Sequence, residues 1–155
     1  MFPIRVSVIG AGVCGPETEA LAHRLGEGIA RNGWLLVCGG RMGVQRAACQ
    51  GAKAAGGTTL GLLPGLDFSQ ANEFVDYPVI TGLGHMRNFL VVKNGLVAIA
   101  VEGGFGTLSE IGLALKSGVP VVALGKWSGI EGVHPARDAD EAIAITQGLL
   151  AARQG

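Results

Sequence analysis

The chain has 155 residues, 48% hydrophobic and only 15% charged, with 12 basic side chains balancing 12 acidic ones. That length suits one domain whose core needs no disulfide or metal staple. Zero net charge and the absence of a Lys/Arg block exclude the basic footprint of a nucleic-acid binder and the polybasic signature of a membrane-surface protein.

Ile4–Ile9 predicts a first strand ending in Gly10-Ala11-Gly12. Glu17–Arg31 predicts a helix, because Leu21, Leu25 and Ile29 recur on one face and Asn32-Gly33 stops it. Trp34–Cys38 predicts a second strand, followed by the turn Gly39–Gly43. The next helix spans about Gly43 to Ala55, with the small inner face Val44, Ala47, Ala48, Gly51 and Ala55 lying close on the sheet. Thr58–Leu63 predicts a third strand, Leu66–Asp76 a long irregular loop and Tyr77–Ile80 a fourth strand. His85–Asn94 predicts a helix with Met86, Phe89 and Leu90 facing inward. Leu96–Val101 is a continuous apolar run, the mark of a parallel strand covered on both faces. Gly103-Gly104-Phe105-Gly106 follows it, then a helix from Thr107 to Ser117, a strand at Val119–Leu124 and a last helix at about Ala139–Ala152.

Strand–helix alternation with short turns implies right-handed crossovers. The expected fold is a doubly wound, Rossmann-like α/β domain over residues 1–155, with a parallel sheet and helices on both faces. The low charge content, against about 25% in average domains, predicts that another subunit covers part of the surface. A homo-oligomer, dimer or tetramer, is expected. Three scattered cysteines, Cys14, Cys38 and Cys49, point to a reducing cytoplasm, with Cys38 and Cys49 as buried apolar residues. No apolar run reaches the ~18 residues of a membrane span, and the first residues lack a signal-peptide pattern.

Doubly wound sheets bind ligands at the carboxyl ends of their strands, where this sequence concentrates glycine. Three turns qualify. Gly103–Gly106 is the strongest, because glycines let the backbone approach an anion and Thr107 opens a helix whose N-terminus is partly positive. Thr107-Leu108-Ser109-Glu110 is also a capping-box pattern, in which Glu110 folds back on the helix start. Both readings of Glu110 stand. Gly10, Gly12 and Gly15 match GxGxxG, but no acidic residue ends the second strand, so the turn is read as a phosphate- or base-contacting turn rather than a dinucleotide site. Gly39, Gly40 and Gly43 form the third candidate turn. Arg87 lies off the predicted inner face of its helix, as a surface residue or a bidentate anion ligand. Arg41 has the same two readings. The scattered His23, His85 and His134 suggest no metal site.

Gly103-Gly104-Phe105-Gly106-Thr107-Leu108-Ser109-Glu110 resembles the PGGxGTxxE signature of the LOG ("lonely guy") family, long mislabelled as lysine decarboxylases. Cys38–Gln45 is similar to that family's second glycine turn, and Met86-Arg87-Asn88 to its Met-x-x-Arg-Lys block. Leu63-Pro64-Gly65, Ala71-Asn72 and Thr81–Gly84 resemble a shorter branch containing molybdenum cofactor carrier proteins. The resemblance implies that Gly103, Gly104, Phe105, Gly106 and Thr107 hold a phosphate, that Glu110 is a catalytic carboxylate and that Arg87 is its partner. It implies either a phosphoribohydrolase cleaving the N-glycosidic bond of a nucleoside 5′-monophosphate, or a non-catalytic carrier with molybdenum cofactor as bound ligand. No catalytic cofactor is implied, and no pyridoxal-phosphate lysine context supports a decarboxylase. Glu102 stands where the signature has Pro, and Asn88 where the family has Lys.

Overall fold

The computed structural model describes residues 1–154. Seven strands form one parallel sheet: β1 (Arg5–Gly10), β2 (Leu35–Cys38), β3 (Thr59–Leu63), β4 (Tyr77–Ile80), β5 (Val97–Val101), β6 (Val121–Leu124) and β7 (His134–Pro135). Their order is β4-β3-β2-β1-β5-β6-β7. β5, in the middle of the sheet, is apolar on both faces and wholly buried. β4 is an edge, which tolerates Pro78 and leaves Tyr77 exposed. The two-residue β7 has no sequence period to announce it and was not among the expected strands.

Helix α1 (Pro16–Arg31) starts on a proline at its first turn, where the missing N–H costs nothing, and carries Glu17 and Glu19 there. It shares one face of the sheet with α2 (Val44–Ala54) and α5 (Ala139–Gln154). Helices α3 (Arg87–Lys93) and α4 (Phe105–Lys116) pack on the other face. The doubly wound architecture is therefore the one expected. The small face of α2 lies close on the sheet as expected, and it also serves a contact that was not expected. A side chain at Gly51 would overlap the carbonyl of His23 on α1, and one at Gly26 the carbonyl of Ala48 on α2. The two helices cross almost backbone to backbone. Cys49 and Ala52 join that buried face, whereas Ala55 lies past the helix end and is half-buried.

Two expected features are reversed. Around α3, Met86 and Phe89 are exposed, while Arg87, Asn88, Val91 and Val92 are buried. A one-turn 3₁₀ segment at Gly84–Met86 precedes the helix. It rotates the face so that polar residues turn inward, towards the strand ends. Helix α4 begins at Phe105, not Thr107, and its N-cap is Gly104 with no side-chain cap. Thr107 and Glu110 thus lie inside the helix, and the capping box does not form.

Candidate functional site

The chain leaves β1 and β5 in opposite directions, so a crevice opens between their carboxyl ends. The Ala11 N–H donates to the Val101 carbonyl (3.2 Å) and the Val44 N–H to Ala11 (2.9 Å), fixing the first glycine turn against β5. A side chain at Gly10 would strike that same Val101 carbonyl.

On the β5 side the turn is held from behind. Glu102 is the only non-glycine residue with positive φ among the described residues, at 51°. Its carboxylate points away from the glycines and accepts the Lys126 N–H at 3.2 Å, packing against Gly125. The negative charge is therefore turned out of the anion turn. Trp127 Nε1 donates to the Gly103 carbonyl (3.1 Å), and Thr107 fills the space a side chain at Gly103 would need. Gly104 and Gly106 face open space, where an added Cβ would meet nothing within 4 Å.

Arg87 comes in from the opposite wall. Its Nη1 donates to the carbonyls of Gly39 (2.7 Å) and Leu62 (2.8 Å), at the ends of β2 and β3. Its buried Nε has no partner. Burial pulls the guanidinium below its ordinary pKa, and the charge of Glu110 opposes that pull. Glu110 is only 7% exposed. Burial pushes its carboxyl up to about 8, with Arg87 lowering it. At neutral pH the carboxyl is mostly protonated. The two groups influence each other without an ion pair of 4 Å or less among the described residues.

These groups line one cleft of about 210 Å³, whose walls include Gly10, Gly12, Gly104, Gly106, Thr107, Arg87 and Glu110. The first and last of the three predicted turns thus meet at one place. Gly39, Gly40 and Gly43 do not line this cleft: Gly39 carries the Arg87 contact, Gly40 and Gly43 take positive φ in the turn, and Gly43 lines the cleft between α1 and α2. Gly103 backs the turn, and Phe105 is exposed on the helix start. Gln45, His85 and Asn88 also line the cleft. Gln45 was not expected there, although its place one helical turn after Arg41 is a usable signal; its Oε1 accepts the Arg41 N–H at 2.9 Å. His85 follows the fourth strand's glycines at the same sheet edge, the signal that could have found it.

A larger cleft, about 580 Å³, lies between α1 and α2. Most of its charges are already neutralised: Arg24 pairs with Asp140, Glu27 with Arg31 and Arg46 with Glu73, while His23 Nδ1 lies 3.1 Å from Glu27. It offers a ligand little unspent charge. Cys38 and Cys49 are buried free thiols with sulfurs 3.5 Å apart, and Cys38 Sγ accepts the Gly40 N–H at 3.3 Å. Among the described residues no group of three or more His, Cys, Asp or Glu could hold a metal ion, and no helix is long and apolar enough to cross a membrane.

The model of a family described as the SLOG cluster4 family matches residues 3–150. A cytokinin riboside 5′-monophosphate phosphoribohydrolase of Mycobacterium tuberculosis is 30% identical, over 76% of this chain and 68% of its own length. The structure of the molybdenum cofactor binding protein of Rippkaea orientalis superposes with a TM-score of 0.92 at 35% identity, covering 97% of this chain and 99% of that one. The Moco carrier protein of Chlamydomonas reinhardtii superposes with a TM-score of 0.89 at 39% identity, with the same coverage.

Proposed function

This chain belongs to the SLOG cluster4 family, a LOG-like protein near the molybdenum cofactor carriers, and from that premise we propose that it binds a phosphorylated small molecule in the cleft between β1 and β5. The ligand class is a nucleoside 5′-monophosphate or a phosphorylated pterin, with molybdenum cofactor as cargo in the second case. The observation that carries this reading is the open start of α4. Gly104 and Gly106 leave room for an anion at the positive end of a 12-residue helix, with Arg87 facing it. In this reading Gly103–Thr107 hold the phosphate and Gly10 and Gly12 contact the rest of the ligand. Gly39, Gly40 and Gly43 keep the second turn, and with it Arg87, in position. A neutral Glu110 suits an anion site, since an ionised one would repel the phosphate.

A second reading, hydrolysis of the N-glycosidic bond, is favoured by Glu110 itself. A buried carboxyl that caps nothing and opens into the cleft has no structural duty to explain it. Protonated Glu110 can donate to the base as the C–N bond breaks, water attacks the sugar carbon and returns its proton to the Glu110 carboxylate, and the positive charge at the sugar is balanced by the bound phosphate. Asn88 puts an amide on the cleft wall where the LOG motif has a charged lysine. Binding without turnover is therefore the conclusion, and hydrolysis the alternative. A cytoplasmic homo-oligomer fits the same reading, with exposed Tyr77, Met86 and Phe89 as apolar surface available for self-association.

Native mass spectrometry of freshly purified protein, followed by calorimetric titration with AMP, tests this. One AMP or one retained phosphorylated pterin per chain is expected, with affinity at least tenfold weaker in Gly104→Asp. Unchanged affinity in that variant overturns the assignment of the turn. Adenine released from AMP, and not by Glu110→Gln, replaces the carrier reading by the hydrolase.

A further inference from the structure

Beyond the glycine turn the cleft continues into a second lobe of about 310 Å³, lined by Arg41, Gln70, His85 and Arg87 beside Pro64 and Gly65. Arg41, His85 and Arg87 line both lobes. No carboxylate lines the second one. Its charge is therefore unbalanced, unlike that of the cleft between α1 and α2.

Arg41 is distinctive among the arginines of the described residues. Arg24, Arg31, Arg46 and Arg137 pair with carboxylates. Arg5, Arg87 and Arg153 donate to an amide or to carbonyls. The Arg41 side chain has no such partner, although its backbone is fastened at both ends. Its N–H donates to Gln45 Oε1 (2.9 Å), and its carbonyl accepts from Asn72 Nδ2 at 2.8 Å. Asn72 is itself buried, and it also holds the Gly40 carbonyl. The exposed guanidinium of Arg41 stands on a fixed backbone next to the unpartnered Nε of buried Arg87, where an anion arriving from solvent can meet both.

We propose that this lobe is a second oxyanion subsite, in which Arg41 and His85 hold a phosphate-sized group distinct from the one at Gly103–Thr107. The inference rests on the proposed binding reading and extends it. A ligand filling both lobes carries two separated anionic ends, not a single monophosphate. Gln70 lies over Gly65 with its amide oxygen nearest, and Asn72 acts as a positioning residue for Arg41.

Amide chemical shifts of ¹⁵N-labelled protein, titrated with inorganic phosphate, separate the two lobes. Two groups of resonances should move, one at Gly104–Thr107 and one at Gly65, Gln70 and His85. Because Arg41 lines both lobes, Arg41→Ala should weaken the second response at least tenfold and the first by clearly less, and Arg41→Lys should recover part of each. Gly104→Asp should produce the reverse pattern. Second-lobe shifts that survive Arg41→Ala unchanged, or that never occur in the wild type, overturn the subsite. Loss of the Gly104–Thr107 response alone overturns the proposed function instead and leaves the second lobe standing.

Discussion

Glycine appears in two regions of this molecule under opposite conditions. Where α1 crosses α2, Gly26 and Gly51 are buried and each faces a backbone carbonyl of the other helix. At the start of α4, Gly104 and Gly106 are exposed, and nothing stands within 4 Å of the place a Cβ would take. In the first region the missing side chain lets two helices touch. In the second it leaves a vacant volume that the fold itself does not use. Open space alone does not set these glycines apart, since Gly112 and Gly148 are equally free within their helices; Gly104 and Gly106 differ in lining the cleft with Arg87 and Glu110.

Substitutions can break or sharpen this contrast. The largest effect is expected from Gly51→Ala, where the new methyl group meets the His23 carbonyl and α1 must be displaced. A loss of about 3 kcal/mol is expected, read as a lowered denaturant midpoint with unchanged slope; a stability within error of the wild type would show that the crossing can relax.

Glu110 gives an intermediate effect that depends on pH. Its folded value of about 8 lies above the ordinary 4.5. The unfolded chain ionises this carboxyl above about 4.5 while the folded chain keeps its proton until about 8. Its contribution is therefore fully present at low pH, declines as pH rises through that window and is flat above it. Glu110→Gln removes the decline. The variant should gain steadily on the wild type between pH 5 and pH 9, read from urea melts at both values. A constant difference across that range would show that the carboxyl titrates normally.

The smallest effect is at Gly106. Alanine there fits the helix and should stabilise it by about 0.5–1 kcal/mol, while weakening AMP binding measured by calorimetry. Stabilisation with unimpaired binding would remove Gly106 from the site.

Most of the fold was legible because each parallel strand writes its own apolar run and each crossover its own period. Ile99 and Val101 in β5, and Leu25 and Ile29 in α1, are buried where the pattern put them. The turns were legible because ligand-side glycines cluster. Three things were not. Met86 and Phe89 read as an inner face only because apolar residues are assumed to point inward. Beside a polar cleft the inward positions go to Arg87 and Asn88, so the pattern inverts. The start of α4 was placed at Thr107 because a cap was sought among side chains, whereas the cap is the bare backbone of Gly104. The freedom of Arg41 is a tertiary fact, since only the folded chain shows which carboxylates its other arginines have taken.

The left-handed backbone of Glu102 bears on anyone who would redesign this scaffold towards its relatives. A proline ring holds φ near −65°, and this residue sits at 51°. Restoring the proline of the PGGxGTxxE signature is therefore not a point change. The residue, its grip on the Lys126 N–H and the bare Gly125 beneath it form one packed unit. A consensus library that varies position 102 alone would score the proline as harmful, when its fault is only the company it keeps.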